Sequence, residues 1–90
     1  MDDKRFDDRA PDSSQLTSYD EGHLVEYLRL LDAEAAGADW REIAAVIFGV
    51  DVSAEPERAK TMHESHLARA QWMTEIGYAH LLGSQRPLNR

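Results

Sequence analysis

Apolar positions recur every three or four residues along most of the chain and almost nowhere alternate, so the pattern predicts helices and no strand of useful length. The first helical stretch opens at Ser18, with Glu21 three residues later in the spacing of a capping box and Asp20 competing for the cap. From there Leu24, Tyr27, Leu28, Leu31 and Ala35 gather on one face, expected to be the buried one, while Glu26, Arg29 and Glu34 point elsewhere. Gly37 is expected to close this helix in a left-handed conformation. Asp39 and Glu42 repeat the capping spacing and predict a short second helix to Phe48, with Trp40, Ile43, Ala44 and Ile47 inward and Gly49 as its stop.

The connection over residues 49–55 is longer than the tightest helix-turn-helix turn. Ser53 or Glu55 is expected to cap a brief third helix, with Pro56 tolerated in its first turn. Thr61 and Glu64 form a third capping box, after which one long helix is expected from Met62 to Leu82, stopped by Gly83. Leu67, Ala70, Thr74, Tyr78 and Leu81 project to one side of it, and Ala68, Trp72, Ile76 and Ala79 to nearly the other. The fold class expected is all-α, a small bundle of four to five helices over residues 18–83. Ahead of it, residues 1–15 alternate acidic and basic side chains around Pro11, with Phe6 as the sole large apolar residue, so a disordered tail through residue 17 is expected. Residues 84–90 contain Pro87 and no periodicity, and are expected to fray.

Composition narrows what such a bundle does. Ninety residues, 42% apolar and 30% charged, suit one folded domain in which a deep catalytic cleft would compete with the core. Cysteine is absent, which removes disulfides, thiolate nucleophiles and cysteine-based metal sites and fits a cytosolic setting. The opening residues Met1, Asp2, Asp3, Lys4 and Arg5 lack the apolar run of a signal or anchor, so no membrane partner is expected. Net charge is −7, and residues 1–48 carry all of the excess acid, a field that repels phosphate.

Little in the chain suggests catalysis. His63, Glu64, Ser65 and His66 lack the spacing of a zinc-protease motif and are read as solvent-facing. Serines 13, 14, 18, 53, 65 and 84 lie in no nucleophile elbow, and the glycines stand singly rather than in a phosphate-cradling loop. Neither an enzyme nor a cofactor is expected. Trp72 and Ile76 carry two readings: part of a long helix covered on both sides, or the centre of an exposed patch that meets a partner.

Trp40, Arg41, Glu42, Ile43 and Ala44, then Ile47, Phe48 and Gly49, and later Gly77, Tyr78, Leu81 and Leu82, resemble a domain family carried on proteobacterial integrative and conjugative elements. It was formerly a domain of unknown function, and the resemblance implies an extended-turn helix-turn-helix variant. Leu24, Tyr27, Leu28 and Leu31 fit the same pattern. Members come in two kinds: domains of activators that bind DNA through a basic face, and free-standing, QseM-like antiactivators, which this chain resembles more.

The stretch that resembles a recognition helix, Met62 to Arg69, holds one arginine, one glutamate and two histidines, where phosphate and guanine contacts call for cations. The resemblance therefore implies an antiactivator that binds a transcriptional activator of the same family, or a LuxR-type quorum-sensing regulator, and silences excision and transfer genes. The expected interface is Leu30, Trp72 and Ile76, rimmed by Glu26 and Asp32, on a monomer without a DNA partner. The alternative is a sequence-specific DNA-binding regulator using Lys60 and Arg69.

Overall fold

The computed structural model describes residues 6–77, with backbone alone for Ile76 and Gly77. The described residues are all-α. Helix α1 spans Ser18–Gly22 and α2 Leu24–Ala35. Helix α3 spans Trp40–Ile43 and runs on as a π-helical turn over Ala44–Phe48, and α4 spans Pro56–Trp72 and runs on in the same way over Met73–Gly77. No helix among these residues is long and apolar enough to cross a membrane. The expected stop at Gly83, the placements of Tyr78, Ala79 and Leu81, and the frayed end at 84–90 lie outside the described residues.

The caps explain where the elements begin and end. Thr17, one residue before the expected cap, accepts from the Asp20 amide while the Asp20 carboxylate accepts from the Thr17 amide, a reciprocal capping box. The expected single first helix is broken at His23. Its ring Nδ1 donates to the Tyr19 carbonyl at 2.8 Å and so competes for the acceptor that a continuous helix would use, just after the weak helix former Gly22. Gly37 has φ 81°, and the Ala38 amide reaches back to the Ala33 carbonyl at 3.1 Å, a Schellman closure at the expected glycine. Asp39 caps α3 through the Arg41 amide, and Gly49 ends that segment at φ 69°. Thr61 starts nothing: α4 begins with Pro56 in its first turn and runs through it, merging the expected third and fourth helices.

The inward face of the second expected helix is as projected, with Ile43 and Ala44 buried and Trp40 and Ile47 half-buried, but that of α2 differs. Ala44, Val50, Ala59 and Met62 form an apolar cluster, with Phe6, Trp40, Phe48 and Val52 packed against it. On α2, however, the buried positions are Tyr27 and Leu30, while Leu24, Val25 and Leu28 are 46%, 62% and 65% exposed. The helix is rotated from the expected orientation: Tyr27 is inside as projected, but Leu30 is buried where Leu24 and Leu28 were expected. Residues 6–15 lie against the helices. Phe6 sits edge-on to Phe48 with ring centroids 4.7 Å apart and 5.5 Å from His66, and the following residues lie along α4.

Candidate functional site

A buried polar cluster sets the orientation of every surface. Asp20 is wholly buried, and its carboxylate takes a two-pronged contact from Arg69, with Nε 3.0 Å from Oδ1 and Nη2 2.7 Å from Oδ2. Tyr27 Oη donates to the same carboxylate at 3.0 Å, and Thr17 adds its amide and hydroxyl. Burial alone would raise the Asp20 carboxyl, but the hydrogen bonds from Arg69, Thr17 and Tyr27 outweigh it and hold it at about 2. Burial pushes the Tyr27 phenol up, and its bond to Asp20 pushes it further.

Beside this pair, His66 is fully buried. Its Nδ1 lies 2.7 Å from the Met62 carbonyl, which only accepts, so Nδ1 carries the hydrogen and Nε2 accepts from the Tyr19 hydroxyl at 2.7 Å. Burial lowers the His66 pKa, against the opposing pull of the Met62 carbonyl. Tyr19 Oη also receives the Asp7 amide, and burial holds the Tyr19 phenol at about 12. His63 is 5% exposed. The expectation of solvent-facing histidines is therefore corrected: both imidazoles of this stretch lie on the α4 core face, His66 between the Met62 carbonyl and the Tyr19 hydroxyl.

The outward face of α4 follows from the same rotation. Glu57, Lys60, Glu64, Ala68 and Gln71 are exposed, with Thr61 half-buried among them. Their spacing puts them on one side of the helix, along its 17 residues, after the turn over 49–55. Lys60 thus stands between two glutamates. Arg58, at the rim, binds Asp8 at 2.7 Å and Glu55 at 3.1 Å. Arg69, the other candidate DNA contact in the alternative reading, is buried against Asp20.

Of the five residues expected to form a protein interface, one lies inside the molecule. Leu30 is 1% exposed and belongs to the core between α2 and α4, which corrects its place in an outward patch. Trp72 is half-buried, with the Arg69 guanidinium 3.9 Å over its ring. The side chain of Ile76 lies outside the described residues. Glu26 is half-buried and Asp32 exposed on α2. The exposed apolar side chains leading up to Asp32 along α2 are instead Leu28 and Val25, one and two helical turns before it. Val46, 66% exposed on the π-helical turn, adds to the exposed apolar surface. Sequence projection missed Leu28 because it lies on the stripe that was assigned to the core, and Val25 and Val46 belong to no stripe that projection singled out.

Comparison with known proteins adds a family. The model of the RovC DNA-binding domain, described as T6SS, transcription factor, DNA binding domain, matches residues 3–83. No curated protein matches. The expectation of no DNA partner, drawn from net charge, is corrected by this match: the domain type is one that binds DNA, and charge summed over a whole chain does not report the charge of one helix face.

Proposed function

Because the chain belongs to the RovC DNA-binding domain family, we propose that it is a transcription regulator that meets DNA with the outward face of α4. The observation that carries this is the pose of α4 after its extended turn. A long helix leaves a complete side uncovered, with Lys60, Thr61 and Gln71 as donors for phosphates or base edges, and a major groove admits a helix. Glu57 and Glu64 temper the attraction, so affinity depends on shape and polar contacts more than on charge.

With Lys60 as the cation of this face, log Kobs should fall against log salt with a slope of about −1. An anisotropy titration of the full chain against promoter duplex at several salt concentrations measures this. Lys60→Ala should reduce the slope by about 1. Absence of salt-dependent binding at the lowest salt would overturn the reading.

A second reading, capture of a transcriptional activator by protein contact as in antiactivators, is favoured by the exposed Leu24, Val25, Leu28 and Val46 and by the net charge of −7. A Leu28→Glu variant that folds yet loses a co-purifying activator would support it. Equal recovery of the activator with the variant would oppose it.

A further inference from the structure

One side of α4 carries Arg58, Ser65 and Arg69, spaced seven and four residues apart and so aligned along the helix. Each of the three is engaged by the chain's own N-terminal residues. The Asp8 carboxylate accepts from Arg58 Nε at 2.7 Å, Ser65 Oγ accepts from the Ala10 amide at 3.0 Å, and the Ser13 and Gln15 carbonyls accept from Arg69 at 2.7 and 3.0 Å. Oxygens of residues 8–15 thus occupy both guanidinium positions. Helical rise places Arg58 and Arg69 about 16 Å apart along the axis, the span of about five phosphates of one strand.

The strap is held firmly at its ends and loosely between them. Phe6 anchors it among Phe48, His23 and His66. The Asp8–Arg58 pair is exposed on both sides, 62% and 41%, where ion pairs contribute little. A cavity of about 640 Å³ separates Pro11, Asp12 and Ser14 from Ala68 and Trp72. Arg69 is also held to Asp20 by bonds that do not involve the strap, which aim its outer donors at this side.

We infer that this side of α4 is a polyanion-binding face which residues 8–15 occupy in cis, their carboxylate and carbonyl oxygens standing where phosphate oxygens sit in a complex. This rests on the DNA reading and names the control of that site: DNA gains Arg58 and the outer donors of Arg69 only by displacing the strap.

The test uses the full chain and two probes, a mixed-sequence DNA duplex and inorganic polyphosphate, with the Ala10 amide signal reporting strap release. Asp8→Asn with Asp12→Asn keeps the Phe6 anchor and should bind duplex about tenfold tighter at low salt, with a slope steeper by about one. Asp32→Asn with Glu34→Gln makes the same charge change on α2 and should give a smaller gain. An equal gain from the α2 pair would overturn the inference, since the long-range field would then suffice. Duplex binding that Lys60→Ala weakens while the Ala10 signal stays still overturns the strap and leaves the DNA reading intact. Polyphosphate that moves Ala10 when no duplex binds supports the covered face and overturns the DNA reading. If neither probe shifts Ala10, the inference fails.

Discussion

A carboxylate removed from water costs several kcal/mol unless it is paired, and Asp20 is removed completely. Its five hydrogen bonds compensate, so deleting one partner is worse than never having had the pair. Arg69→Ala should lower unfolding free energy by about 3 to 5 kcal/mol in urea titrations, enough to unfold much of a domain this small. The pH dependence follows from two groups. With the Asp20 carboxyl at about 2 rather than 3.8, its contribution of about 2 kcal/mol is present above pH 3.8 and is lost as pH falls toward 2. His66 acts earlier. Its pKa is lowered from 6.5 in the folded chain, so below pH 6.5 the unfolded state takes up a proton that the folded state refuses, and stability falls. His66→Gln should flatten the unfolding free energy between pH 6.5 and 5, as measured by urea titrations across that range; an unchanged acid limb would contradict this assignment.

At the scale of elements, caps, glycines and the inward face of Trp40, Ile43 and Ala44 were legible, and the face of α2 was not. Gly37 and Gly49 end helices where expected because the left-handed conformation there admits few other residues, and Gly49→Ala should cost about 1 kcal/mol. The face of α2 was misjudged because two stripes compete along it. Leu24, Leu28, Leu31 and Ala35 are the more apolar, yet Asp20, His23, Tyr27 and Leu30 turn inward to meet Arg69 and His66. Two substitutions of one residue type separate these stripes. Leu30→Ala should cost about 2 to 5 kcal/mol, whereas Leu28→Ala should stay within about 0.5 kcal/mol by the same thermal or urea melt. The merging of two expected helices into α4 has a similar lesson: Thr61 has capping-box spacing, but lies inside a helix already started by Pro56.

Across the whole molecule, like charges dominate and the buried pair is sheltered from salt. The net charge of −7 predicts that screening relieves self-repulsion. Raising salt should therefore shift the urea midpoint upward by less than about 1 kcal/mol in equivalent stability, without changing the dependence on urea. The same screening should weaken DNA capture, so stability and binding are expected to respond to salt in opposite directions. That divergence would separate a DNA regulator from a protein whose binding rests on the apolar face of α2, where salt has far less effect.

The sequence by itself determined that this chain is helical, where α2 and α3 stop, and that an extended turn precedes the last helix, because caps, glycines and periodicity act over a few neighbouring residues. Only the tertiary structure decided which sides of α2 and α4 are inside. That choice turned on Arg69 meeting Asp20 across 49 positions of chain, a contact no local pattern encodes. It drew histidines and a carboxylate into the core, left leucines in water, and laid the N-terminal residues over the arginines of α4.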